Sequence, residues 1–127
     1  MTTATTTEYV TIDGLKLSVK IAGKGRPFLF LHGLCGDALQ PLELFPDDAG
    51  WQCHALESRG HGGSEIGDMK ELSIRRLAED ATAYLESLDR GPAVIGGVSM
   101  GAAIALRLTA DRPELAAGLV LGRPAWV

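Results

Sequence analysis

The sequence has 127 residues, of which 46% are hydrophobic and 22% are charged, a profile that predicts one globular domain over residues 1–127. The formal net charge is −4 without any cluster of basic residues, so nucleic acid and anionic membranes are not expected partners. No apolar run approaches the roughly 18 residues that span a bilayer, and the N-terminus lacks the basic start and apolar run of a secretion signal. We therefore expect a cytoplasmic protein. The chain is also short for the larger α/β enzyme folds, which run to roughly 200–250 residues.

The two cysteines, Cys35 and Cys53, are too few for a disulfide framework. Their separation does not match the spacing of metal ligands either. We therefore expect two reduced thiols.

The N-terminal part of the chain predicts a β-hairpin. Tyr9–Ile12 and Leu15–Ile21 are separated by Asp13-Gly14, a pair that suits a two-residue turn because both turn positions require a positive φ. Apolar and polar residues alternate in the second strand, which predicts that one face of the hairpin is exposed to water. The next strand, Phe28–Leu31, is apolar without alternation, as in a parallel sheet that is covered on both faces.

Helices and strands then alternate along the chain. An apolar stripe at steps of three and four predicts a helix from Ile74 to Leu88, capped by Ser73 and stopped by Gly91-Pro92. The other predicted elements are a short or broken helix at about 38–49, strands at 52–56, 93–95 and 118–121, and a helix from Met100 to about Asp111. This order indicates a sheet of about six strands, mainly parallel after the hairpin, with helices on both faces.

A serine lies where a buried strand should turn sharply into a helix. Residues 97–101 read Gly-Val-Ser-Met-Gly, in which Gly97 and Gly101 flank Ser99 at a distance of two residues on either side. This pattern suits an exposed hydroxyl on a strained turn, because the glycines avoid collisions with the neighbouring strand and helix. The functional interpretation is a nucleophile, and the structural alternative is a serine that merely forms the turn.

Two further loops follow strands of the predicted sheet. His32-Gly33 opens a glycine-rich loop that could aim backbone N–H groups at one point, and together with the N–H of Met100 such a donor makes an oxyanion hole. A phosphate cradle is the alternative, although neither of the usual phosphate-loop motifs is present. The second loop, Glu57–Ser64, is rich in turn residues, and Arg59 is positioned there to hold loop backbone or carboxylates.

The three motifs, in this order and at these spacings, resemble the α/β-hydrolase superfamily from Tyr9 to Val127. The resemblance implies an α/β-hydrolase-like sheet with Ser99 as nucleophile and the N–H groups of Leu34 and Met100 as oxyanion hole. It implies that His32 and Gly33 shape the oxyanion loop and that residues 59–64 form a structural turn beside the site. It further implies acyl transfer to water on an ester, lactone or related carbonyl compound, without a metal or organic cofactor.

The residues at positions 99 and 57 indicate which branches of the superfamily the sequence does not resemble and where it departs from the usual pattern. A serine at position 99 argues against the haloalkane dehalogenase and epoxide hydrolase branches, which resemble this pattern but use an aspartate there. Glu57 stands where the family usually has Asp, a departure that concerns the anchoring of the loop rather than the chemistry.

The family order of the catalytic triad, Ser then Asp or Glu then His, is not completed in this sequence. No histidine follows Ser99, and the acids after it, Asp111 and Glu114, lie near the far end of the predicted helix. The three histidines, His32, His54 and His61, precede Ser99 and are interpreted as structural. We therefore expect an N-terminal part of the fold whose acid and base come from elsewhere, because a serine without a base is a poor nucleophile.

The sequence leaves three hypotheses open. The first is part of a serine α/β-hydrolase that needs a complementary C-terminal chain. The second is a non-catalytic binding or scaffold module, which could form a homo-oligomer through the free edge of its last strand. The third is a short self-sufficient hydrolase that recruits one of the three histidines upstream of the serine.

Overall fold

The computed structural model describes residues 5–33 and 50–122. Leu34, Cys35 and the predicted broken helix at 38–49 lie outside these ranges. Within them, no helix is long and apolar enough to cross a membrane.

The N-terminal hairpin is confirmed. Strands β1 (Thr5–Ile12) and β2 (Leu15–Gly23) pair antiparallel around Asp13 and Gly14, whose φ angles are 49° and 80°. The predicted water-facing side is wrong at Ser18, which is fully buried. The loop that follows strand β4 covers it, and the backbone N–H of Ser18 donates to Ser64 Oγ at 2.8 Å.

Within the described residues, the sheet has six strands in the order β1-β2-β4-β3-β5-β6. The remaining strands are β3 (Arg26–Leu31), β4 (Trp51–Leu56), β5 (Ala93–Val98) and β6 (Ala116–Gly122). Strand β4 is antiparallel to β2, whereas the pairs β3–β4, β3–β5 and β5–β6 are parallel. The predicted mixed, mostly parallel sheet is therefore confirmed, and strand β6 forms one of its edges.

Two α-helices follow the sequence pattern closely. Helix α1 (Ile74–Leu88) begins after Ser73, whose hydroxyl accepts from the N–H of Arg76 at 3.1 Å, as an N-cap does. It ends before the predicted Gly91-Pro92 stop, because Asp89 adopts the left-handed conformation, with φ 50° and ψ 44°. Helix α2 spans Met100–Asp111, and short 3₁₀ helices cover Met69–Glu71 and Pro113–Leu115.

The main core lies between helices α1 and α2 and one face of the sheet. Leu77, Ala81 and Leu85 of α1 join Ile104 and Leu108 of α2 in one apolar cluster with the sheet residues Leu29, Leu31 and Ile95. A smaller cluster on the opposite face contains Ala22, Cys53 and Ala55. Burial raises the pKa of the Cys53 thiol to about 12. The expectation of helices on both faces stays a prediction, because the predicted helix at 38–49 lies outside the described residues.

The parallel strands position the candidate site. The carboxyl ends of β3, β4 and β5 meet at one edge of the sheet, so the segments after them converge there. These segments begin at His32, Glu57 and Ser99, which carry the three motifs.

Candidate active site

Ser99 occupies a strained turn between β5 and α2. Its φ is 56° and its ψ is −115°, a conformation that costs a residue with a side chain on the order of 1–3 kcal/mol. Its backbone N–H donates to the carbonyl of Gly122 at 3.1 Å, which ties the turn to the end of β6. Ser99 is only partly buried, and its hydroxyl makes no capping hydrogen bond to α2.

The glycines that flank Ser99 are required by close packing. A Cβ at Gly97 would collide with the carbonyl of Gly101, and a Cβ at Gly101 would collide with the carbonyl of Leu31. The turn therefore brings the start of α2 against the end of β3. This is the physical basis for glycine at both positions, as the sequence pattern predicted.

The segment after β3 lies directly against the serine. A Cβ built on Gly33 would be 3.4 Å from Ser99 Cβ and from the carbonyl oxygen of Val98, so the backbone of Gly33 approaches the turn closely. Leu34, predicted to donate an N–H to an oxyanion, lies outside the described residues. The other predicted donor, Met100, is the first residue of α2, where a backbone N–H has no partner within the helix.

His32 has both ring nitrogens in hydrogen bonds. Its Nδ1 lies 2.7 Å from the carbonyl oxygen of Gly33, and its Nε2 lies 3.0 Å from the backbone nitrogen of Ser58. Because a backbone N–H can only donate, Nε2 accepts and Nδ1–H donates to Gly33. The neutral ring is buried and acts as a brace between two loops.

His61 packs beside this brace. Its ring centroid is 4.9 Å from that of His32, and its Nδ1–H donates to the carbonyl of Arg59 at 3.1 Å. His54 lies elsewhere, buried against α1, with its Nδ1 2.7 Å from the hydroxyl of Tyr84 and its Nε2 2.9 Å from Gln52 Oε1. Burial lowers the pKa of His54 to about 4, and the nearby positive charge of Arg90 adds to this shift.

The turn after β4 is held by two buried charged side chains. Arg59 donates to Asp80 of α1 through Nε at 2.8 Å and Nη2 at 2.9 Å. Glu57 Oε1 accepts from the backbone N–H of Gly63 at 3.1 Å and lies 3.8 Å from Lys20 Nζ. Glu57 therefore anchors the loop, in the place where the family usually has Asp.

Sequence reasoning missed Asp80. It lies among the apolar residues of α1 and is 2% exposed. A carboxylate within the apolar stripe of an amphipathic helix is itself an indication of a buried partner, because such a charge is seldom buried unpaired. Among the described residues, no group of three His, Cys, Asp or Glu side chains could hold a metal ion.

Comparisons with known proteins define the class of protein. The sequence matches the alpha/beta hydrolase fold family over residues 26–126. This protein therefore belongs to the α/β-hydrolase family.

Individual relatives show which members of the family the chain resembles. The chain is 38% identical over 102 residues to the putative non-heme bromoperoxidase BpoC of Mycobacterium tuberculosis, covering 78% of this chain and 38% of the relative. It is 30% identical over 115 residues to the 2-(acetamidomethylene)succinate hydrolase of Mesorhizobium japonicum, covering 87% of this chain and 40% of the relative. The solved structure of Est816, described as an N-acyl homoserine lactone degrading enzyme, is 30% identical. It superposes with a TM-score of 0.80 over 90% of this chain and 44% of that one. The chain thus spans about two-fifths of the length of the curated relatives.

Proposed function

We propose that this chain carries the nucleophile of a serine hydrolase that acts through an acyl-enzyme on Ser99. The observation that carries the proposal is the strained backbone of Ser99, with φ 56°, at a strand-to-helix turn closed by Gly97 and Gly101. Strain of this kind persists where the surrounding structure enforces it, and a strained turn that exposes a hydroxyl is what a nucleophile needs. The backbone of Gly33 at its side and the N–H of Met100 at the start of α2 support the same assignment.

The proposed reaction proceeds in two steps. Ser99 Oγ bonds to the carbonyl carbon of the substrate while its proton passes to a base, and the N–H groups of Met100 and Leu34 stabilise the negative oxygen. The alcohol leaves with that proton. Water then attacks the acyl group, releases the carboxylic acid and regenerates the serine. No metal or organic cofactor takes part in these steps.

Esters, lactones and related carbonyl compounds are the substrate class that we propose. Two relatives support it, since one is named as a hydrolase and the other as a lactone-degrading enzyme. An alkoxide leaving group suits this chemistry, because the protonated base can return its proton to it.

The base is proposed to come from a second polypeptide segment. His32 uses both ring nitrogens as a brace, and His54 is buried between Tyr84 and Gln52. The supplying segment is proposed to pair with β6, where Leu119 and Val120 are 37% and 57% exposed. The carboxyl end of β6 is tied to Ser99 through Gly122, so a strand added at this edge would run beside the site.

The test uses a fusion of this chain to the part of the M. tuberculosis relative that lies beyond the matched region. We call this fusion the fused protein. It is expected to hydrolyse p-nitrophenyl acetate, and Ser99→Ala is expected to lower kcat by roughly 10³-fold or more. The matched control is Ser87→Ala, because Ser87 lies on α1 and donates to the carbonyl of Tyr84. A folded fused protein whose turnover survives Ser99→Ala contradicts the proposal.

A non-catalytic scaffold is the second candidate function, and the exposed apolar edge of β6 favours it. A scaffold would use the same edge to bind a partner without any need for the serine hydroxyl. It predicts that Ser99→Ala leaves partner binding intact and that the folded fused protein shows no turnover.

A further inference from the structure

A buried ion pair joins helix α1 to the candidate site. Arg59 and Asp80 are each 2% exposed, and the guanidinium binds the carboxylate through two parallel hydrogen bonds. A buried pair is weak evidence for stability, because desolvation opposes the attraction between the charges. The two parallel hydrogen bonds do fix the orientation of the Arg59 side chain, because the guanidinium and the carboxylate are both planar and must align.

The backbone beside Arg59 holds both histidines of the site. The N–H of Ser58 donates to His32 Nε2 at 3.0 Å, and the carbonyl of Arg59 accepts from His61 Nδ1–H at 3.1 Å. A side chain that holds Arg59 in place therefore also holds the two backbone groups that orient the rings of His32 and His61.

His32 passes this orientation on to the backbone next to the serine. Its Nδ1–H donates to the carbonyl of Gly33 at 2.7 Å, and Gly33 lies against Ser99. This hydrogen bond therefore holds the carbonyl of Gly33 in place beside the turn that carries Ser99.

We propose that Asp80 is a positioning residue of the active site, acting through Arg59 and His32 on the backbone of Gly33, which lies against Ser99. Asp80 touches neither substrate nor reacting atoms. Its carboxylate aligns the guanidinium, the Arg59 segment sets the tautomer and tilt of His32, and His32 holds the Gly33 backbone against the turn of Ser99. This inference rests on the proposed function for the role of Ser99, whereas the path from Asp80 to Gly33 stands on geometry alone.

The test replaces the ion pair by apolar groups of similar size. The variant Arg59→Met with Asp80→Leu removes both charges together, which avoids a buried unpaired charge. Glu79→Gln is the matched control, because Glu79 is the next residue on α1 and forms an exposed pair with Arg75. Arg59→Lys is measured beside them, since lysine keeps the charge and loses the two-point geometry.

Two readouts separate this inference from the proposed function. The first is the ¹⁵N NMR signature of His32 in the chain itself, assigned with His54→Gln and His61→Gln. In wild type and Glu79→Gln, His32 is expected to show a single Nδ1–H tautomer. The double variant is expected to show a mixture of tautomers, and Arg59→Lys a smaller shift in the same direction. The second is the rate at which a fluorophosphonate labels Ser99 in the fused protein, which is expected to fall by up to about 100-fold in the double variant.

The outcomes are distinct. A folded double variant with unchanged His32 signals and unchanged labelling overturns the role of Asp80. If the double variant does not fold, Arg59→Lys decides by the same two readouts. If the wild-type fused protein is not labelled, the proposed function fails, and the His32 signals still test the path from Asp80.

Discussion

Ser99 shows how a few glycines make a strained residue possible. Its φ of 56° is combined with a ψ of −115°, which differs from the left-handed conformation that Asp89 adopts at the end of α1. The turn is kept in place by the hydrogen bond from Ser99 N–H to Gly122 and by the close approach of Gly101 to the end of β3. The strain therefore depends on contacts to two neighbouring strands.

Gly101→Ala is expected to destabilise the protein although alanine is the better helix former. A Cβ at position 101 would collide with the carbonyl of Leu31, and we expect a loss of about 1–3 kcal/mol in the free energy of unfolding. Helix propensity alone predicts a gain of about 1 kcal/mol. Urea unfolding measures the sign, with Gly118→Ala as control because its added Cβ would meet Val94 Cγ2 at an ordinary 3.5 Å. A stabilised Gly101→Ala variant would show that the close approach is not as described.

His54 predicts how stability depends on pH. Its pKa is lowered from 6.5 to about 4. Between these two pH values the imidazole is therefore protonated in the unfolded chain and neutral in the folded chain. The free energy of unfolding should therefore fall as the pH drops from about 6.5 to 4, by up to about 3 kcal/mol. His54→Gln should lose this part of the dependence. Urea unfolding at several pH values compares the two proteins, and parallel curves would disprove the assignment to His54.

The sequence predicted the bounds of helices α1 and α2 better than those of strands β1 and β5. Helix α1 begins as predicted because Ser73 supplies a cap that can be seen in the sequence. Strand β1 extends back to Thr5 through exposed polar residues, which carry no apolar pattern. Strand β5 continues past Ile95 through Gly96 and Gly97, residues with poor strand propensity that are kept in place by pairing with Phe30 and Leu31.

The sequence predicted the motifs of the candidate site and the role of Arg59 in holding loop backbone or carboxylates, but it did not identify Asp80 as the carboxylate. Ser99 and its flanking glycines were visible because local backbone geometry demands those residue types at fixed positions. Asp80 was not, because its partner Arg59 is 21 residues away and the pairing depends on how α1 packs against the turn. The place of β4 between β2 and β3 is a long-range feature of the same kind.

The edge strand β6 predicts self-association of the isolated chain. Its residues Ala116–Gly122 carry no charge and no proline, and Val120 is 57% exposed, so little opposes pairing with another strand. Val120→Lys is expected to shift the chain towards monomer in sedimentation velocity. The control is Met69→Lys, which changes an exposed residue away from the sheet edge. Equal association of Val120→Lys and wild type would place the contact elsewhere.

The described fold combines the strained turn at Ser99 with three histidines that are each held by hydrogen bonds. Each described histidine has a hydrogen-bonded structural position, and the edge of the sheet next to Ser99 is exposed and apolar. The two observations have one explanation if the segment that pairs with β6 also brings the base. Binding of that segment would then both complete the sheet and supply the base.

The rate of Ser99 labelling by a fluorophosphonate, followed by intact mass, tests this account most directly. The isolated chain should label slowly, and the fused protein should label at least about 100-fold faster, because a general base contributes roughly 10²–10⁴-fold. Ser99→Ala should abolish labelling in both. Fast labelling of the isolated chain as a monomer would contradict the account, as would a folded fused protein that labels no faster than the chain alone.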